Sequence, residues 1–291
     1  MSNVVIPGQI LVSAEDDEKS QWLRGHGTFV DTSNEQSKRW IASVAGRVER
    51  VNKLVSVIPY SVTNYQAHVG DLVVGRITEV MTGRSAWKVS LAGGLMASLP
   101  LSGVHLPGGV QRIKTTEDAR EMRQILQEGD LVSAEVHKTT GQIQLHTRSV
   151  RYGLLENGCV LEVPPALIPR RKNHSTVVLD QFSVLWGCNG MIWMQRKWDE
   201  DKNEGLGGPE LAEAHEKRRI DHAQMPLSMD QRQNLARLRN SMECLRQAGM
   251  MITPELTEAV YAASHKLSPS EMLHPDNLVR LVNSEDVQNR I

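Results

Sequence analysis

Cysteine is scarce in this chain of 291 residues: Cys159, Cys188 and Cys244 are an odd number without Cys-x-x-Cys spacing. That excludes a disulfide framework, argues against a zinc site and points to a reducing compartment. No run of about eighteen apolar residues occurs, and the start lacks a basic-then-apolar signal pattern, so nothing is expected to span or cross a membrane. An intracellular, soluble protein is the expectation. Charge of one sign is lacking too, since 33 basic residues meet 34 acidic ones. The largest basic excess, +3, lies in residues 150–198, while residues 199–291 carry −5. A free-standing nucleic-acid binder carries a far stronger basic bias. Also missing are the Gly-x-Ser-x-Gly, His-Glu-x-x-His and phosphate-loop strings of common enzymes. The acidic runs Glu15 to Glu18 and Asp199 to Asp201 read as loops rather than as converging carboxylates. His215 and His222 stand seven apart with no third ligand type beside them. No catalytic residue, metal site, cofactor or small-molecule substrate is therefore expected.

What is present is a repeated phrase. Val69-Gly70-Asp71-Leu72-Val73 recurs 59 residues later as Glu128-Gly129-Asp130-Leu131-Val132. Gly-Asp supplies a tight turn, and the residues after it alternate apolar and polar at the two-residue period of a half-buried strand. With Trp87–Leu91, Ala97–Leu101 and Gln142–Arg148, about five short strands fall between Val69 and Ser149. That is the size and strand number of an OB-type barrel. A short helix is predicted over Glu117–Leu126, capped by Thr116. Barrels of this kind hold single strands with aromatic platforms and basic loops. Trp87 is the only Phe, Tyr or Trp between Val69 and Ser149, and its alternation with Val89 and Leu91 assigns it to the core. Contact with nucleic acid then falls to Arg84, Lys88, Arg112, Lys114, Lys138 and Arg148, acting on phosphates without reading sequence.

Upstream, Val4 to Tyr65 reads as short strands with turns at Pro7-Gly8 and Gly25-His26-Gly27. Downstream, Cys159–Val163 reads as a strand and Pro164-Pro165 as a helix entry. Phe182–Trp186 and Met191–Met194 flank Asn189-Gly190, the dipeptide favoured by a type I′ hairpin turn with positive φ at both central residues. Residues 199–225 form a charged loop, with a short helix expected at Glu210–Arg219. Ser228 caps a helix to about Ala248 whose Leu235, Leu238, Met242 and Leu245 make one apolar stripe. Thr253-Pro254 opens another by cap and N1 proline.

The order Val-Gly-Asp-Leu-Val-Val-Gly-Arg-Ile, Trp-Lys-Val, Leu-Pro-Gly-Gly, Glu-Gly-Asp-Leu-Val and Leu-His-Thr-Arg-Ser resembles the S1 domain of an RNA exosome cap subunit family, ribosomal RNA-processing protein four. Arg24–Phe29 and Ile41–Lys53 resemble that family's N-terminal domain, and Gly187–Trp193 its KH signature. The resemblance implies a mainly β chain with α+β parts. It comprises a small N-terminal β domain (1–64), a five-stranded S1/OB-fold barrel (65–149) and a KH-type α+β domain with C-terminal helices (150–291). It further implies a non-catalytic subunit that binds single-stranded RNA and partners RNase PH-like ring subunits and other S1-bearing cap subunits, in nucleus, nucleolus and cytoplasm. Under it, Gly25, His26 and Gly27 are candidates for docking on the ring, and Gly187, Asn189 and Gly190 form a structural hairpin. The usual KH phosphate clamp, a Gly-x-x-Gly loop between two helices, belongs near Pro169–His174, where glycine is absent. Arg170, Arg171 and Lys172 are left there, either to substitute by charge or to stand in a solvated loop. The competing readings are an enzyme acting on RNA and a translation-associated S1 module; the full N-terminal, S1 and KH order favours the exosome.

Overall fold

The computed structural model describes residues 4–12, 22–31, 39–59, 65–104, 116–149, 152–169, 171–197, 217 and 219–290. Two compact units result, Met1–Thr63 and Asn64–Ile291.

The first unit has seven strands: β1 (Val4–Val5), β2 (Ile10–Val12), β3 (Leu23–Arg24), β4 (Thr28–Asp31), β5 (Arg39–Ala42), β6 (Gly46–Val51) and β7 (Leu54–Pro59). They form a four-stranded sheet, β1-β6-β7-β3, and a three-stranded one, β2-β5-β4. Val5, Leu11, Val12, Trp40, Ala42, Val55 and Val57 make its core. The Gly25-His26-Gly27 string is laid directly on β7, with Gly25 N–H donating to Val55 O (2.9 Å) and Val57 N–H to His26 O (2.8 Å). A Cβ at Gly25 would strike the Ser56 hydroxyl and the Val55 carbonyl, and one at Gly27 the Val57 carbonyl. These two glycines thus permit an approach within the unit. The His26 side chain is exposed.

The second unit opens with the repeat. β8 (Leu72–Met81), β9 (Ala86–Ser90), β10 (Met96–Pro100), β11 (Leu131–Lys138) and β12 (Ile143–His146) are ordered β12-β10-β9-β8-β11, and β11 pairs back on β12 to close the ring. In order along the chain that is 1-2-3-5-4-1, with the third and fifth strands parallel. The two copies of the phrase start antiparallel neighbours, β8 and β11, and each turn is tied to the other strand. Gly70 N–H donates to Val136 O and Val136 N–H to Asp71 O, while Gly129 N–H donates to Ile77 O and Ile77 N–H to Asp130 O, all within 2.9 Å. Both glycines have positive φ (91° and 99°), which a residue with a Cβ rarely adopts. Trp87 is fully buried, its indole N–H donating to Leu126 O at 3.0 Å. The expected helix over 117–126 is two short ones, α1 (Thr116–Arg120) and α2 (Met122–Ile125), broken at Glu121.

β13 (Gly153–Leu155) extends the barrel sheet beside β11. The KH-type part then places β14 (Gly158–Glu162), β15 (Ser175–Val178), β16 (Phe182–Trp186) and β17 (Met191–Arg196) in an antiparallel sheet, β14-β17-β16-β15. A helical stretch at residues 219–224 follows, and then the helices α3 (Met229–Gln247), α4 (Pro254–Ala263), α5 (Pro275–Val282) and α6 (Glu285–Gln288). The Ser228 hydroxyl accepts from Gln231 N–H and the Gln231 side chain accepts from Ser228 N–H, a complete capping box. Thr253 caps α4 by accepting from Leu256 N–H. The stripe Leu235, Leu238, Met242 and Leu245 is buried against Val184, Trp186, Ile192 and Met194 in one core.

β17 explains its own unbroken apolar sequence. Ile192 and Met194 face the helices, whereas Met191 and Trp193 belong to a separate cluster with Val74 and Ala92 of the barrel. A strand buried on both faces has no polar side to show.

Candidate nucleic-acid interface

The loop from Gly187 to Gly190 does not have the type I′ geometry expected of Asn-Gly. Only Gly190 has positive φ (89°); Asn189 does not. Gly190 N–H donates to Gly187 O (3.1 Å) and Gly187 N–H to Met191 O (3.0 Å), so the turn is centred on Cys188-Asn189 and Gly190 carries the left-handed step back into β17. The physical reason lies across the domain boundary. Asn189 is buried and its amide grips one residue of β8, with Val74 N–H donating to Oδ1 (3.2 Å) and Nδ2 donating to Val74 O (2.7 Å). Cys188 N–H adds a bond to Leu72 O at 2.8 Å. β9 pairs with β8 only from Arg76 onward, so at Val74 the Asn189 side chain stands where a ladder neighbour would. A Cβ at Gly190 would strike the Val163 carbonyl, and one at Gly187 would lie 2.5 Å from Met191 O. The hairpin thus locks the KH sheet to the barrel and is not a surface clamp.

The position of the KH clamp differs as well. A single 3₁₀ turn, Pro165–Leu167, is followed by β15, with no helix pair among the described residues. Arg170 lies outside the described residues. Arg171 is spread over the Trp186 ring, 5.3 Å from its centroid. Its Nε is buried and has no hydrogen-bond partner. Lys172 is exposed.

The barrel does better at bringing candidates together. In a 1-2-3-5-4-1 barrel the second and third strands and the loops joining strands 1–2 and 4–5 form the oligonucleotide face. Here these are β9, β10 and the loops 82–85 and 139–142. Arg84 stands exposed in the first loop. Register pairs Lys88 with Ser98, Ser98 with Gln144 and Gln144 with Lys138, one outward-facing row across four strands. At about 4.8 Å per strand the two lysines stand roughly 14 Å apart along it. Lys88 Nζ lies 3.7 Å from Glu79 at one end, and exposed Lys138 borders the second loop at the other. Arg148 is exposed just past β12, its N–H donating to His146 Nδ1 at 3.5 Å. Burial chiefly holds the His146 imidazole below the usual histidine range, opposed by Glu135 and aided by Arg148 and His137. Arg112 and Lys114 lie outside the described residues.

Cys159 and Cys244 are pushed up to about 11 by burial, and none of the three cysteines forms a disulfide. Among the described residues no group of three or more His, Cys, Asp or Glu is placed to hold a metal ion. His222 is buried and bonded to Arg196 O (3.2 Å), whereas His215 lies outside the described residues, as do the expected acidic loops and most of the charged segment 199–225.

A closed barrel of this order, joined to a KH-type sheet and helices, is the architecture of the S1/KH class of RNA-binding proteins. Three family models match along the chain: the RRP4 N-terminal region over residues 4–51, the RRP4 S1 domain over 64–138 and a KH domain over 158–199. The exosome complex component RRP4 of Bos taurus is 38% identical over 282 residues, covering 96% of this chain and 88% of that one. That of Saccharomyces cerevisiae is 43% identical over 198 residues, 67% of this chain and 51% of that one. The archaeal Rrp4 of Methanosarcina mazei is 30% identical over 207 residues, 68% of this chain and 70% of that one. The chain belongs to the RRP4 family of exosome complex components.

Proposed function

We propose that this chain is a non-catalytic cap subunit of the RNA exosome. It holds its N-terminal unit against an RNase PH-like ring and offers the barrel face to single-stranded RNA bound for 3′–5′ degradation or processing. The observation that carries this reading is the outward row from Lys88 to Lys138, with Arg84 in the adjoining loop, on the face an OB barrel uses for oligonucleotides. A few cations without an exposed Phe, Tyr or Trp among the barrel's described residues give weak binding alone, so neighbouring subunits supply the rest at high effective concentration.

Docking on the ring has support of a different kind. Ile10 and Phe29, 50% and 43% exposed, flank Ile41 in register across β2, β5 and β4. Leu23 and Val51, 61% and 55% exposed, flank Leu54 across β3, β7 and β6. Apolar rows of this sort on a small domain call for a protein partner.

Two assays test the reading. Pure protein incubated with labelled single-stranded RNA, magnesium and phosphate should leave the RNA intact; cleavage surviving rigorous purification contradicts it. In the assembled complex, replacing Arg84, Lys88 and Lys138 by alanine should lower affinity similarly for all sequences. The salt slope should fall by about 2, at roughly 0.7 per lost single-strand contact. An unchanged slope shows that these cations face only solvent.

A further inference from the structure

Base stacking is the component of single-strand binding that this barrel lacks in its ordinary form. Among the barrel's described residues, Trp87 is fully buried and Tyr65 is half-buried with its hydroxyl donating to Asp71 Oδ2 (2.7 Å). The rings that reach the surface are histidines, and two of them are paired. His137 and His146 meet edge to face, 5.5 Å between centroids and 67° between planes.

We infer that the His137–His146 pair is a nucleobase-stacking platform at the end of the barrel's cationic row. The inference rests on the RNA-binding reading above and adds to it where a base is held. Four observations carry it. First, an edge-to-face pair occupies at most one face of each ring, and His137 is exposed. Second, β11 is irregular in register between Val136 and Lys138, which turns His137 outward while Val136 fills the core. Third, His146 is held in place: its Nδ1 accepts from Arg148 N–H and its Nε2 faces Glu135 at 4.0 Å. A fixed second ring gives the exposed first ring a wall to rest on. Fourth, Lys138 adjoins His137 in the chain and is the register partner of Gln144, two residues before His146, so a phosphate site lies beside the rings. Imidazole is among the rings on which unstacked RNA bases lie, and stacking tolerates any base because every base has a π-face.

The test is the full chain in its assembled complex, with single-stranded RNA carrying 4-thiouridine for photocrosslinking and unmodified RNA for titration. Crosslinks should map to the segment containing His137 and His146. His137→Ala should weaken binding about fivefold, the low end expected for a lost stacked base. His137→Phe, which keeps a ring and cannot carry charge, should bind within twofold of wild type. Both variants should keep the wild-type salt slope and melting temperature. Should His137→Phe lose affinity as His137→Ala does, with a slope reduced by about 0.7, the residue is a phosphate contact and the stacking inference falls. No change in either variant, with Arg84, Lys88 and Lys138 still governing the slope, overturns the platform and leaves the proposed function standing.

Discussion

The two units carry their apolar residues differently. Among the described residues, seven large hydrophobic side chains are exposed in the first unit, from Val4 to Leu54, against eight in the far larger second unit. In the first unit two such rows run across sheets, through Ile10 and Phe29 and through Leu23 and Val51. In the second, β17, whose first four residues are all apolar, is covered on both faces. The barrel's outward row is instead Lys88, Ser98, Gln144 and Lys138. A surface left apolar is one that another protein covers, and a surface left cationic and hydrated is one that can exchange its counterions for a phosphate chain. Under the proposed function, assembly falls to one unit and RNA to the other.

Mirrored substitutions break that contrast most severely. Gly190→Val places a β-branched residue at φ 89° against the Val163 carbonyl. It should destabilise the second unit by about 2 to 5 kcal/mol, seen as a large fall in melting temperature. Gly27→Val, at φ 71° against the Val57 carbonyl, should do the same to the first unit and leave the second intact. A Gly190→Val protein with wild-type melting but no RNA binding would turn the hairpin into an RNA contact.

Asn189→Leu sharpens the account of the second unit. It removes the partners of both the Val74 N–H and the Val74 C=O, leaving them buried and unpaired. The cost should be about 2 to 4 kcal/mol, with increased protease sensitivity between barrel and KH part while ring binding persists.

The smallest effect concerns pH. The Glu243 carboxylate accepts from Arg246, its main cause of a lowered pKa, and from Gln247 Nε2 at 2.8 Å. A carboxylate with a depressed folded pKa stabilises above its unfolded value and loses that contribution as pH falls through the folded one. Glu243 is itself buried but Arg246 is open to solvent, which screens the pair, so Glu243→Gln should cost about 1 kcal/mol at neutral pH. Equilibrium unfolding should show the difference vanishing well below the ordinary carboxylate pKa of about 4.3.

The barrel was legible in the sequence because its information is local: two Gly-Asp turns and two-residue alternation. The α3 stripe was legible for the same reason, cap and periodicity agreeing over nineteen residues. What escaped was set at long range. The Asn189 turn type is decided by Val74, 115 residues away. Gly25 and Gly27 suggested a partner's approach, yet their space is filled by β7. Arg171 reads as a surface charge until Trp186 lies beneath it. Of the candidate cations, Lys88 and Lys138 fall in one outward row because the barrel's strand order places them there, which no spacing along the chain states.

Removal of residues 1–63, followed by co-purification with the ring subunits and thermal melting of what remains, tests the division of labour most directly. The account predicts loss of the ring subunits with the cooperative melting of the barrel and KH part retained. A truncated chain that still assembles with the ring places the anchor in the second unit and contradicts it.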